Sequence, residues 1–291
     1  MFIIENEYLK IEIHPKGAEL QSIYNKKNLL EYMWGADPAF WAKKSPVLFP
    51  IVGSLKNDTY YFGNKAYQLG RHGFAREMDF TITDQTASSI TFTLTRSDTS
   101  FEKYPFHFRF DIVYSIKENQ LQVMYRVINK GDINQKLYFS VGGHPAFKLP
   151  LLPGTVYTDY YLEFNKVENA GRWIISKEGL IETSSLPLLN DTKKLPLAKE
   201  LFYTDAIVFK QLRSEKVKLV NNSSGQLFEF DFTGFPYLGI WAAKDADFVC
   251  IEPWCGIADS VNTNQQLTEK EGINKLDPSN QFERSWKLTV Y

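Results

Sequence analysis

The sequence predicts an all-β protein: one large antiparallel β-sandwich with few short helices, spanning residues 1–291 as a single domain. Three observations carry this. Short segments of strand character, bounded by turn residues, recur along the whole chain. Aromatic residues make up 15% of the chain, and such side chains favour pleated, half-buried surfaces. Helical periodicity is scarce, which argues against the alternating strands and helices of a parallel sheet. A chain of 291 residues buries roughly three quarters of the surface its unfolded form exposes, so it needs neither disulfide nor metal to hold a core.

The elements follow in order. Segments 8–13 and 18–24 read as strands joined by the turn His14-Pro15-Lys16-Gly17. The stretch 38–43 fits one short helical turn with a proline near its start. Segments 58–62, 66–69, 78–84 and 89–95 read as strands of ordinary length. Segments 107–116 and 120–129 alternate apolar and polar residues around Lys117-Glu118-Asn119, which fits a hairpin. Further strands are expected near 136–141, 159–163, 206–210, 216–220, 226–231, 237–243, 247–252 and 282–290. Two polar stretches, 176–200 and 258–281, read as long surface loops. No repeat, low-complexity tract or interdomain linker interrupts the pattern.

Composition then excludes several function classes. Lys and Arg number 33 against 34 Asp and Glu, so no overall field attracts nucleic acid. No apolar run is long enough to span a membrane, and the N-terminus lacks the basic and apolar regions of a signal peptide. The expected location is cytoplasmic. The two cysteines, Cys250 and Cys255, are too few for a disulfide scaffold. Their C-x4-C spacing is a weak metal signal, and both read as reduced thiols. No glycine-rich phosphate loop follows a strand, which argues against a nucleotide cofactor.

Two of the four histidines stand in unusual company. His72 lies in Arg71-His72-Gly73-Phe74-Ala75-Arg76, and His144 in Val141-Gly142-Gly143-His144-Pro145-Ala146-Phe147. Glycine beside a histidine lets the backbone bend and a ligand approach closely. Proline after His144 keeps that residue out of the α region. Each is a candidate for catalysis, with a structural or surface role as the standing alternative. His14 and His107, in a turn and an alternating strand, read as ordinary surface residues. Glu252 ends the apolar run Phe248-Val249-Cys250-Ile251, where a carboxylate is costly to bury. Pro253 is expected to stop the ladder there, and Trp254 to pave the floor of a site. Asp205 and Asp259 each read most simply as turn or strand-start residues.

Pro46-Val47-Leu48-Phe49-Pro50, His72-Gly73-Phe74-Ala75-Arg76, Gly142-Gly143-His144-Pro145-Ala146-Phe147 and Ile251-Glu252-Pro253-Trp254 occur in that order. Together they resemble the aldose 1-epimerase superfamily of galactose mutarotases and hexose-6-phosphate 1-epimerases, and most closely its LacX-type branch. The likeness runs from about residue 1 to 290. It implies a galactose mutarotase-like supersandwich with its site in a cleft on one face. By resemblance, Glu252 matches the general base acting on the anomeric hydroxyl, and His144 the general acid at the ring oxygen. His72 matches a second histidine on the sugar, and Asp205 an acidic residue holding ring hydroxyls. Arg76 is similar to an arginine of the phosphate-sugar branch.

An epimerase of this kind needs one proton removed from O1 and one delivered to O5. A carboxylate near pKa 4 and an imidazole near 6.5 suit that pairing around neutral pH. No metal or other cofactor is implied. The expected partner is a small-molecule sugar, with no nucleic acid and no membrane, on a monomer or homodimer. The chain departs from the family in one place: Lys43-Lys44-Ser45-Pro46 stands where relatives carry an early-loop arginine. Lysine does not replace an arginine fork, and Arg71 and Arg76 are the residues that could compensate. Two other classes compete. A sugar-binding protein without turnover would share every binding residue. A glycoside hydrolase would need a second carboxylate, for which only Asp205 or Asp259 is available.

Overall fold

The computed structural model describes all residues 1–291. Its largest element is a 15-stranded sheet in which every pairing is antiparallel. The path begins at Val47–Leu48 and runs through Val141–Gly143, Phe248–Cys255, Tyr237–Trp241, Ile207–Lys210 and Tyr160–Ile175. It continues through Lys216–Asn221, Gly225–Asp231, Gln281–Val290, Gln120–Asn129, Phe108–Lys117, Ser89–Thr95 and Thr81–Gln85. A separate four-stranded sheet forms from the N-terminal strands, including Leu9–His14 and Glu19–Asn25.

The alternation read in the sequence is what buries the core. In Gln120–Asn129 every second residue, from Leu121 through Val123, Tyr125 and Val127, points inward. Contacts between distant strands then show the sheet folding back on itself. Phe49, next to the first strand of the path, stacks on Phe110 near its far end with ring centroids 4.4 Å apart. Phe147, beside the Phe248–Cys255 strand, meets Phe228 at 4.7 Å. One apolar cluster of 69 buried residues joins both ends, so the sandwich closes over a continuous core.

Three features differ from the sequence reading. The stretch 176–200, expected as a surface loop, carries the 16-residue strand Ile181–Pro196, hairpinned onto Tyr160–Ile175. Most of its residues face water, and its register shifts several times, so no apolar alternation marks it. Its two prolines sit on a ribbon edge, where no further ladder needs their N–H groups. The single helical turn expected at 38–43 is present but starts and ends earlier, closed by the Trp41 N–H on the Asp37 carbonyl at 2.9 Å, with residues 42 and 43 outside it. The one α-helix, Asp98–Lys103, was not expected; a Ser97–Ser100 capping box starts it.

Candidate active site

The centre of the site is a flaw built into a ladder. Phe248–Cys255 is buried at all eight positions. On one side it pairs with Tyr237–Trp241, where Gly239 lies opposite Glu252. On the other side its partner is split into two short strands, Val141–Gly143 and Ala146–Lys148. The register is the same on both sides of the split: Gly142 faces Trp254, and Ala146 faces Cys250. Two steps inward from either pair lead to His144 opposite Glu252. Pro145 and Pro253 flank that pair and cannot donate to a ladder. Pro253 therefore does not end its strand, contrary to the sequence expectation; it lies opposite the gap, and pairing resumes at Trp254.

Glycine makes room around this centre. A Cβ on Gly239 would lie 2.5 Å from Cζ2 of Trp254, and one on Gly142 would lie 2.8 Å from its Cδ1. The Trp254 indole thus lies across two strands that lack side chains at the crossing points. Gly143 faces the other way, where a Cβ would meet the Tyr125 hydroxyl at 2.6 Å. That hydroxyl already accepts from the Trp286 indole at 3.0 Å.

His144 Nε2 lies 3.2 Å from Glu252 Oε2. The two residues are 8% and 1% exposed, so both ionised forms lose their hydration. Burial draws the His144 imidazole down to about 3, with the Arg76 and Arg71 charges acting in the same direction. Burial also pushes the Glu252 carboxyl well above its ordinary range, and the nearby Asp205 charge adds to this. This reverses the simple pairing of an ionised carboxylate with a protonated imidazole expected from the sequence. Burial therefore favours a protonated Glu252 beside a neutral His144.

His72 reaches the same space from a different element. It and Gly73 both occupy the left-handed region, at φ +68° and +71°. A Cβ on Gly73 would strike the Phe49 carbonyl oxygen at 2.4 Å, which is why glycine follows the histidine. The His72 N–H donates to the Gly53 carbonyl at 2.9 Å, and the Gly53 N–H donates back to His72 Nδ1 at 3.0 Å. An accepting Nδ1 leaves the proton of the neutral ring on Nε2. Burial also holds this imidazole well below its ordinary value.

The remaining expected residues converge on one cavity of about 590 Å³, within the range that small-molecule sites occupy. His144, Glu252, His72, Asp205, Arg71, Arg76 and Trp254 all line it. Asp205 sits at φ +121°, a strained value for a residue with a side chain. Its backbone is held there by Arg172, whose Nη2 donates to the Asp205 carbonyl at 2.8 Å. Arg71 Nε donates to Ser54 Oγ at 2.9 Å, and Arg76 Nη2 to the Arg71 carbonyl at 3.0 Å. The nearest carboxylate to either guanidinium is Glu77, 4.0 Å from Arg76. Asp259 is not in the cavity; it forms a buried ion pair with Lys270 at 2.7 Å.

Sequence reasoning missed the walls. Trp41, Trp241 and Tyr203 line the cavity, as do Ile175, at the end of its strand, and Gly179 and Ile181 from the stretch read as a loop. Lys43 and Lys44 turn away: Lys43 pairs with Glu77 at 3.0 Å, and Lys44 donates to the Gln21 carbonyl at 2.9 Å. One trio, His144, Cys250 and Glu252, has donor atoms close enough to converge on a cation, within 4.8 Å of one another. Burial raises both the thiol and the carboxyl, so a cation held there would have to displace their protons.

Comparison with known proteins gives a consistent result. The family model described as aldose 1-epimerase matches residues 1–271. Protein LacX, chromosomal, of Lactococcus lactis subsp. lactis is 34% identical over 295 residues, covering 99% of this chain and 98% of its own. A galactose mutarotase related enzyme from Lactobacillus acidophilus superposes with a TM-score of 0.94 at 35% identity, covering 100% of this chain and 97% of that one. A galactose mutarotase-like protein from Lactobacillus casei gives 0.93 at 29% identity, with both chains fully covered. No helix of the protein is long and apolar enough to cross a membrane.

Proposed function

The chain belongs to the aldose 1-epimerase family, and from that premise we propose that it interconverts the α and β anomers of an aldohexose through Glu252 and His144. The observation that carries this reading is the 3.2 Å contact between those two groups at the base of a cavity of sugar dimensions.

In ring opening the Glu252 carboxylate takes the proton from O1, and the His144 imidazolium gives one to O5. The C1–O5 bond breaks and C1 becomes an aldehyde carbon. Rotation about C1–C2 presents its other face, and the two transfers run backwards on closure. Each positioned group contributes about 10²–10⁴-fold. The pair then cycles between two states of equal charge and equal proton count. One is carboxylate with imidazolium; the other is carboxylic acid with neutral imidazole. Burial favours the second, which is the state that ring opening produces. The protein is thus poised for the open-chain stage, and binding the closed sugar must draw a proton from Glu252 to His144. The His72 Nε2–H and the Asp205 carboxylate are placed to hold ring hydroxyls. The indoles of Trp254 and Trp241 offer apolar surface to the C–H faces of the sugar.

A second reading, an epimerase of hexose phosphates, is favoured by Arg71 and Arg76, two guanidiniums at one cavity whose nearest carboxylate, Glu77, stands 4.0 Å from Arg76. For a glycoside hydrolase, Asp205 is the one carboxylate in the cavity available beside Glu252, because Asp259 is paired with Lys270, and release of reducing sugar from aryl glycosides tests it.

The test is mutarotation of freshly dissolved α-D-glucose, α-D-galactose and glucose 6-phosphate, followed by polarimetry or anomeric exchange NMR. Acceleration of a free sugar supports the first reading. Acceleration of the phosphate ester alone assigns the arginines to phosphate. Calorimetric binding of these sugars without acceleration would replace the epimerase by a sugar-binding protein.

A further inference from the structure

A histidine that moves protons is ordinarily oriented by a hydrogen bond on the ring nitrogen facing away from the chemistry. His72 has such a bond, from Gly53. His144 has no such bond from another residue: its buried Nδ1 has at most a weak contact with its own backbone, while Nε2 faces Glu252. Something else must hold the plane of this ring.

Aromatic packing does so. The Trp41 indole stacks on the His144 imidazole with centroids 4.9 Å apart and planes 30° from parallel. Trp241 meets the imidazole edge-on at 5.5 Å, and His72 does so at 5.9 Å. Trp41 is itself fixed. Its carbonyl accepts from the Trp34 indole at 2.9 Å, and its N–H closes the turn onto Asp37. Its ring also stacks on Phe248 at 5.6 Å and meets Trp241 edge-on at 5.4 Å. The early loop, whose lysines turn outward, therefore presents an indole to the cavity rather than a cation.

We propose that Trp41 is a positioning residue for the reaction. It sets the plane of the His144 imidazole by stacking, so that Nε2 stays directed at Glu252 and at the sugar ring oxygen. This rests on the acid–base reading above, but it makes a claim about the ring that holds whether or not a given sugar is turned over. Without the indole, the imidazole keeps no hydrogen bond from another residue on Nδ1 to stop it tilting. Water also gains access to a face that Trp41 now covers. The groups around the imidazole that carry or can gain charge are Glu252, Cys250, His72, Arg71 and Arg76. None of them replaces the indole.

The experiment compares Trp41→Leu, which keeps apolar volume but no aromatic face, with Trp41→Phe, which keeps a smaller face. Far-ultraviolet circular dichroism first establishes that both variants fold. Histidine-ring ¹⁵N NMR then reports the His144 tautomer and ring exchange in the free protein, independently of turnover. We expect the wild type and Trp41→Phe to share one sharp His144 signature, and Trp41→Leu to show an averaged or shifted one. On the sugar that the wild type turns over, Trp41→Leu should lose about 10²-fold in kcat, the scale of a misplacement near 1 Å, while KM changes far less. Trp41→Phe should recover most of that loss. An unchanged His144 signature in Trp41→Leu overturns the proposal. A rise in KM with kcat intact overturns it too, and makes Trp41 a sugar platform only. Absence of mutarotation in the wild type overturns the epimerase reading instead, and leaves the NMR comparison to decide the role of Trp41.

Discussion

His144 and Glu252 are a cross-strand pair in a ladder that two prolines interrupt, with Nε2 and Oε2 3.2 Å apart. An uninterrupted ladder would commit the backbone groups of this stretch to hydrogen bonds along the strand. The interruption keeps two side chains in register while freeing the space beside them. Their shared burial then decides how they titrate.

The first prediction concerns pH. Burial holds His144 neutral down to about 3 and keeps Glu252 protonated beyond the ordinary carboxylate value of 4.5. The acid limb of the activity profile should therefore not lie at 6.5, the ordinary imidazole value. It should fall as pH drops towards about 3, because a further proton on His144 makes the pair cationic and removes its acceptor. It should also fall at a pH above the ordinary carboxylate range, because loss of the Glu252 proton makes the pair anionic. A kcat/KM profile on the preferred sugar measures both limbs, and an acid limb centred near 6.5 rather than near 3 would contradict the neutral pair.

Replacing either partner should be nearly as damaging as replacing both. His144→Asn and Glu252→Gln should each lower kcat by about 10²–10⁴-fold, since each removes one proton-transfer group. The double variant should lose little more than the worse single one, because the two transfers belong to one event. Multiplicative losses, measured by anomeric exchange NMR, would mean that the two side chains act separately.

A third expectation follows from the slot around Trp254. Gly239→Ala places a Cβ 2.5 Å from the indole, which is too close for either group to stay put. Overpacking of this kind costs about 1–3 kcal/mol. Because the displaced ring lines the cavity, sugar affinity should fall as well. Denaturant unfolding and sugar titration read the two effects, and wild-type behaviour in both would mean that the slot is not tight.

Stability should also depend on a pair outside the chemistry. Lys270 and Asp259 are each about 3% exposed at the side chain and 2.7 Å apart. Asp259 also accepts the Lys56 N–H, and its backbone bonds Ser54 and Ile181, next to cavity-lining residues. Lys270→Met leaves that carboxylate buried without a counter-charge and should cost about 3–5 kcal/mol. Adding Asp259→Asn removes the orphaned charge but keeps an acceptor for Lys56, so it should restore much of the loss. A single variant as stable as wild type in denaturant would show that the carboxylate finds water.

Much of this was legible in the sequence, and for definite reasons. Period-two burial in strands such as Gln120–Asn129 revealed the sandwich. His72, His144 and Glu252 stood out because glycine, proline and charge broke an apolar pattern beside them. The walls did not stand out. Trp41, Trp241 and Tyr203 are aromatic residues in an aromatic-rich sandwich, where packing in the core is the ordinary role. The Ile181–Pro196 strand was hidden because a two-stranded ribbon with both faces largely in water needs no alternation. The protonation of the central pair was hidden as well, because ordinary pKa values carry no information about burial.

The split ladder also has a consequence for how the protein comes to be active. Trp41, His72, His144, Asp205 and Glu252 lie far apart along the chain, and no local segment brings two of them together. Hairpins such as Phe108–Lys117 with Gln120–Asn129 close over three-residue turns or shorter and can form early. The cavity needs strands near both ends of the chain to find their neighbours, and such distant closures are slow. In refolding, turnover should therefore return after the bulk of the β signal, so a nascent chain acquires its sheet before it acquires its chemistry.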